Sequence, residues 1–230
     1  MPTLENNIAK LKLRIDHACA ENQRDPASVT LLAVSKTRSA ATLAQAYQLG
    51  LHQFGENYAS EAQQKLAELP AEVRRNSEWH FIGPIQSNKT RFIAETFDWV
   101  QSLDRLKIAQ RLNDQRPASL PPLQCLIQVN ISQESQKAGI DAENLPAFAA
   151  SILQLPHLQL RGLMAIPKAA QRETALATDF AKMADLLRQL QTQCPQADTL
   201  SMGMSSDLEL AIAHGATMVR VGADLFGPRH

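Results

Sequence analysis

Apolar residues along the chain alternate between short branched runs and amphipathic stretches. The first amphipathic stretch has apolar residues at helical spacing: Leu4, Ile8, Leu11 and Ile15. This spacing predicts an N-terminal helix that packs one face against the rest of the protein. The run VTLLAVS at residues 29–35 follows, and it is typical of a strand that is buried on both faces. A helix is predicted over residues 39–49. It is expected to end there because Gly50 is typical of the position just past a helix end.

Strand-like runs recur farther along the chain, at residues 51–54, 79–82, 98–102, 123–130, 158–164, 199–202 and 218–221. Helix-competent stretches lie between them, at residues 56–69, 104–115, 145–155, 172–193 and 207–214. Regular alternation predicts parallel strands joined by crossover helices. Eight strand–helix units favour a single (β/α)8 TIM barrel with an extra N-terminal helix. An open doubly wound sheet is the alternative, but the first strand lacks the glycine-rich turn that typically follows it in such a fold.

Composition and charge restrict the classes of function. The 230 residues show no linker-like or low-complexity tract, so residues 1–230 are predicted to form one domain. Lys plus Arg equals Asp plus Glu at 23 each, which disfavours nucleic acid or an anionic membrane as a partner. The three cysteines are far apart and fit neither a disulfide framework nor a metal site. Without a signal-peptide pattern at the N-terminus, we expect a cytoplasmic protein.

Lys36 follows the first predicted strand directly, where a barrel places functional side chains. A lysine that is partly desolvated by apolar neighbours loses affinity for its proton, and the neutral amine can form an imine with an aldehyde. A solvated lysine at a strand end is the alternative interpretation of the position alone.

Two segments near the C-terminus are candidates for binding an anion beside Lys36. In the segment SMGMSSDLE at residues 201–209, Ser206 and Glu209 have the spacing of a capping box, and Ser205 could add a hydroxyl. After the last predicted strand, Gly222 would let the backbone approach a phosphate closely. A plain helix cap and a plain turn are the alternatives.

Eight ordered segments together resemble the pyridoxal 5'-phosphate (PLP) homeostasis protein family, which is related to the N-terminal barrel of alanine racemases. The segments are VSKT at 34–37, FGENY at 54–58, WHFIGPIQSNK at 79–89, VNIS at 129–132, KAGI at 137–140, GLM at 162–164, LSMGMSSD at 200–207 and RVGADLFG at 220–227. The resemblance spans almost the whole chain and implies a PLP-binding barrel without the C-terminal β domain of alanine racemases.

The resemblance implies roles for individual residues. Lys36 would hold PLP as a Schiff base, and Ser205 with the backbone of Gly222 and Ala223 would hold the phosphate. Relatives commonly have Thr or Ser at the position of Ala223, so one hydroxyl contact is expected to be missing here. Arg220 would face the pyridine nitrogen, and Asn57 would line the pocket near the ring.

The function implied by the resemblance is a monomeric carrier or regulator of the PLP pool that influences amino-acid and keto-acid balance. Because Arg220 can only donate hydrogen bonds, it would leave the ring a weaker electron sink than an acidic partner would. A racemase would also need a second base to carry a proton, and neither Tyr47 nor Tyr58 is an evident one. Lys137 is a candidate for passing PLP to apo-enzymes. A PLP-dependent racemase or lyase and a cofactor-free Schiff-base aldolase are the alternatives.

Overall fold

The computed structural model describes residues 3–133, 138–168 and 172–228. Its first element is helix α1 (Leu4–Glu21), which begins at Thr3, whose hydroxyl accepts a hydrogen bond from the amide of Asn6. The predicted apolar stripe of α1 is buried at Ile8, Leu11 and Ile15. The N-terminal helix is therefore confirmed, and it packs outside the barrel against its last two helices.

The strands form a closed barrel in which neighbours in sequence are neighbours in space. They are β1 (Thr30–Val34), β2 (Gln53–Glu56), β3 (Glu78–Phe81), β4 (Trp99–Leu103), β5 (Leu123–Gln128), β6 (Leu158–Met164), β7 (Thr199–Ser201) and β8 (Met218–Val221). All pairs are parallel, and β1 closes the ring on β8. The TIM barrel is confirmed, and the open sheet is excluded.

Helices surround the barrel between successive strands. They are α2 (Ala40–Gln48), α3 (Ala59–Glu68), α4 (Ala71–Arg75), α5 (Thr90–Thr96), α6 (Leu106–Gln115), α7 (Leu145–Ile152), α8 (Glu173–Gln191), α9 (Leu208–Ala213) and α10 (Ala223–Phe226). The helical stretches predicted above do not cover α4, α5 or α10, because helices of four to seven residues are too short to show a clear period. None of the described helices combines the length and apolar character needed to cross a bilayer.

Two predicted features differ from the structure where a charged side chain pairs with a residue of another element. The second strand ends at Glu56, whereas the pattern placed Glu56 at the start of a helix; Glu56 is buried because it pairs with Lys65. The capping box at Ser206 and Glu209 is wrong. Asp207 precedes α9 without a side-chain cap, and Glu209 instead pairs with Arg14 of α1.

Candidate functional site

A cleft of about 330 Å³ opens at the carboxyl ends of β1, β2, β7 and β8. Its walls are Val34, Lys36, Asn57, Ile82, Ile166, Met204, Ser205, Ser206, Arg220, Gly222 and Ala223. The structure thus brings together all six residues that the sequence proposed for the cofactor. The other predicted residue, Lys137, lies outside the described residues.

Lys36 is half-buried, and the backbone on both sides of it is fixed. The carbonyl of Ser35 accepts a hydrogen bond from Lys65 Nζ at 2.8 Å, and the amide of Thr37 donates to Glu61. Thr37 has a φ of 64°, which is unusual for a β-branched residue. The strained turn therefore depends on these contacts to keep Lys36 in its place.

A buried ion pair lies beneath this turn. Lys65 Nζ is 2.5 Å from Glu56 Oε1 and 2.9 Å from Glu61 Oε1, and the Ser35 hydroxyl also donates to Glu56 at 2.7 Å. Burial raises the pKa of Glu56, although the charge and hydrogen bond of Lys65 oppose the shift. No local sequence pattern indicates this pair, since Glu and Lys are residue types that are usually exposed.

The backbone amides of Ser206, Gly222 and Ala223 are among those at the cleft that have no acceptor within the described part of the chain. We call them the open amides. Amides that lack a protein acceptor bind anions such as phosphate. A Cβ on Gly222 would lie 3.3 Å from the carbonyl oxygen of Val34, so glycine also permits close packing on β1.

Asn57 lines the cleft and carries a buried polar atom. Its Oδ1 has no hydrogen-bond partner among the described residues. A Cβ on Gly83 would lie 2.0 Å from the carbonyl oxygen of Asn57, so only glycine allows the loop after β3 to support Asn57 this closely. A buried polar atom without a partner is costly, and a ligand group could satisfy it.

Arg220 is buried, with 5% of its surface exposed, and it retains free donor capacity. Nη1 donates to Ser201 Oγ at 2.7 Å, and Nη2 donates to the carbonyl of Ala165 at 2.8 Å. A guanidinium has five N–H groups, so others remain for a ligand. Burial lowers the pKa of Arg220 to about 10, while the nearby Asp207 opposes the shift, and the side chain stays cationic at neutral pH.

A chain of hydrogen bonds runs from Arg220 through the barrel interior, and sequence analysis missed most of it. The Ser201 hydroxyl donates to Gln101 Oε1 at 2.7 Å, and Gln101 Nε2 lies 2.9 Å from His80 Nδ1. Because an amide nitrogen only donates, His80 carries its proton on Nε2, which lies 2.8 Å from Glu78 Oε1. His80 is therefore a hydrogen-bonded interior residue.

The carboxylate at the far end of this chain is held in its charged form. Partial burial is the largest single influence on Glu78 and acts to raise its pKa, but the hydrogen bond from His80 and smaller contributions from the surroundings, including Arg161, together lower the pKa below its usual range. Arg220 is a cation at one end and Glu78 an anion at the other, and each group between them donates its hydrogen bond toward Glu78. Such a chain fixes the rotamer of Arg220 in the cleft.

Removing the hydroxyl that joins Arg220 to this chain should destabilise the protein. We expect Ser201→Ala to lower the free energy of unfolding by about 1–3 kcal/mol, because Arg220 loses an acceptor and Gln101 a donor in the interior. Ser77→Ala is the matched control, since the Ser77 hydroxyl is buried without a partner among the described residues. Urea unfolding measures the stability of both variants. Equal losses of stability would contradict the stabilising role of this hydrogen-bond chain.

Comparison with known proteins gives consistent matches over the full length. The family model described as alanine racemase, N-terminal domain, matches residues 4–230. Pyridoxal phosphate homeostasis proteins are 56% identical in Pseudomonas aeruginosa, covering 100% of this chain and 97% of that protein, and 50% identical in Escherichia coli, covering 100% and 98%. The structure of PipY from Synechococcus elongatus with PLP bound is 37% identical with a TM-score of 0.82, covering 98% of this chain and 100% of that one.

Proposed function

Because the chain belongs to the pyridoxal phosphate homeostasis protein family, we propose that it binds PLP in the cleft and acts as a carrier or regulator of the PLP pool. In this role it influences amino-acid and keto-acid balance. The observation that supports the proposal best is the convergence of Lys36, the open amides and Arg220 on one cleft. Residues 1–230 act as one cofactor-binding domain in this proposal.

The cleft residues fit PLP by their chemistry. When bound, PLP supplies an aldehyde and an electron-withdrawing ring. Lys36 provides the amine that condenses with the aldehyde, with loss of water. The phosphate accepts hydrogen bonds from the Ser205 hydroxyl and from the open amides, which include those of Gly222 and Ala223. Since Ala223 contributes its backbone N–H, the missing hydroxyl at this position weakens phosphate binding without abolishing it.

The remaining cleft residues favour binding over turnover. Arg220 donates a hydrogen bond to the ring nitrogen and keeps that nitrogen unprotonated, and Asn57 contacts the ring side of the cofactor. Tyr58 is 56% exposed at the start of α3, and Tyr47 lies in α2 within hydrogen-bonding distance of Asn76. Neither tyrosine lines the cleft, so neither is placed to act as the second base of a racemase.

The proposal includes statements about partners. We infer that the protein acts as a monomer in the cytoplasm, delivers PLP to apo-enzymes, and binds neither nucleic acid nor membranes. Lys137 is the proposed residue for transient transfer of the cofactor. Faster uptake of PLP by an apo-enzyme from this protein than free dissociation allows would support delivery, and uptake at the rate of free dissociation would exclude it.

Borohydride fixation tests PLP binding and the assignment of Lys36 together. We expect the protein mixed with less than one equivalent of PLP to develop a visible imine band that borohydride abolishes. Mass mapping should then place the pyridoxyl group on the peptide that contains Lys36. A protein that stays colourless with added PLP would exclude PLP binding, and a label found mainly at another lysine would exclude the assignment.

Incubation of the PLP-loaded protein with single amino acids separates the carrier from the enzyme. We expect racemisation and cleavage no faster than with free PLP, because no second base lines the cleft in the described residues. Turnover well above that of free PLP would identify a racemase or lyase instead.

A further inference from the structure

Helix α1 lies outside the barrel, yet one of its side chains reaches both segments that surround the open amides. Arg14 donates from Nε and Nη2 to the two carboxylate oxygens of Glu209, at 2.6 and 2.9 Å. Nη1 donates to Asp224 at 2.9 Å, and Nη2 also donates to the carbonyl of Ser205 at 2.8 Å. A single guanidinium thus joins the segment after β7 to the helix after β8.

The contact with Ser205 fixes the direction of an open amide. In a trans peptide the carbonyl and the following N–H point in opposite directions, and the described residues contain no cis peptide bond. The Ser205 carbonyl points toward Arg14 on α1. The N–H of Ser206 is therefore directed away from α1, and both serines line the cleft.

The carboxylates bound by Arg14 lie next to the phosphate side of the cleft. Asp224 directly follows Ala223, and Glu209 lies in the first turn of α9. Two carboxylates near a phosphate would repel it. The bidentate contact with Arg14 neutralises Glu209 and directs both carboxylates toward α1. The hydrogen bond from Arg14 also lowers the pKa of Glu209, so this carboxylate stays charged and paired.

We propose that Arg14 is a positioning residue for the phosphate of the cofactor, which makes helix α1 part of the binding site. Arg14 does not line the cleft itself. It acts by holding the segment of Ser205 and Ser206 against the start of α10, so that all the open amides can bind the same phosphate. This inference rests on the proposed PLP function and concerns only the phosphate end of the site.

Comparing PLP with pyridoxal, which has the aldehyde but no phosphate, tests the role of Arg14. We expect Arg14→Met to lower the ratio of PLP affinity to pyridoxal affinity about tenfold, or about 1.4 kcal/mol. Arg14→Lys keeps a positive charge but loses the forked geometry, so its ratio should still fall at least about threefold. Arg161→Met is the matched control. Arg161 is equally exposed at 25% and pairs with Asp198 at 2.6 Å, away from the cleft.

The outcomes separate a positioning role from a general structural one. Equal loss of PLP and pyridoxal affinity in Arg14→Met would overturn the proposal, as would a wild-type ratio in Arg14→Lys. An unchanged ratio in Arg161→Met, together with urea unfolding that shows all variants folded at the assay temperature, supports it. Wild-type protein that takes up no PLP would overturn the proposed function as well, which distinguishes the two failures.

Discussion

Replacing Lys36 by methionine should lower the affinity for PLP by at least about tenfold, because the imine at the end of β1 can no longer form. Pyridoxine 5'-phosphate, which lacks the aldehyde, should bind to the variant within twofold of wild type, because the open amides and Arg220 remain. Absorbance titration with PLP and competition with pyridoxine 5'-phosphate measure the two affinities.

Lys89→Met is the matched control for this experiment. Lys89 is also half-buried and lies in the segment between β3 and α5, but it does not line the cleft. We expect this variant to keep the wild-type affinity and the imine band. Wild-type PLP affinity in Lys36→Met would show that another amine holds the cofactor. Loss of affinity for both PLP and pyridoxine 5'-phosphate would show that methionine at position 36 disturbs the cleft itself.

The sequence predicts the architecture well because the fold depends on patterns that are local. Each strand is a short branched run between helix-competent stretches, and the predicted bounds of β6 and β8 agree with the structure. A charged strand residue that is buried because it pairs with the next helix breaks this pattern. Glu56 is the clearest case, since its burial depends on Lys65, and the predicted strand consequently ended two residues too early.

Position after a strand predicted Lys36 and Gly222, whereas Asn57, Arg220 and Ala223 were implied by the family resemblance. The residues that support the site were missed for a different reason. Ser201 bonds to Gln101 across 100 positions, and Arg14 bonds to Glu209 across 195. Such pairs come together only when the barrel closes, so a single sequence carries no local signal for them. Glu209 shows the consequence, because its spacing from Ser206 imitates a capping box.

Removing the ammonium of Lys65 should have the largest effect on stability. We expect Lys65→Met to lower the free energy of unfolding by about 3–5 kcal/mol, because the Glu56 carboxylate stays buried without its partner. Arg91→Met is the control, since its pair with Glu95 is exposed and should contribute at most about 0.5 kcal/mol. Urea unfolding of both variants measures the difference.

The loss of stability in Lys65→Met should depend on pH, in a direction set by the protonation of Glu56. Burial already raises the pKa of Glu56 in the native protein, and loss of Lys65 removes the interactions that oppose this shift. The folded variant therefore binds a proton more tightly than the unfolded chain, and its stability falls as pH rises through the raised pKa. Unfolding at pH 6 and pH 8 should show the greater loss at pH 8.

A second substitution separates the buried charge from the lost packing. Glu56→Gln in the Lys65→Met background removes the carboxylate, so we expect it to recover much of the stability and to abolish the added pH dependence. The Ser35 carbonyl still lacks its donor in this double variant, and the turn at Thr37 loses part of its support. Imine formation at Lys36 should therefore remain slower than in wild type. Wild-type imine kinetics in the double variant would show that the pair stabilises the barrel without positioning Lys36.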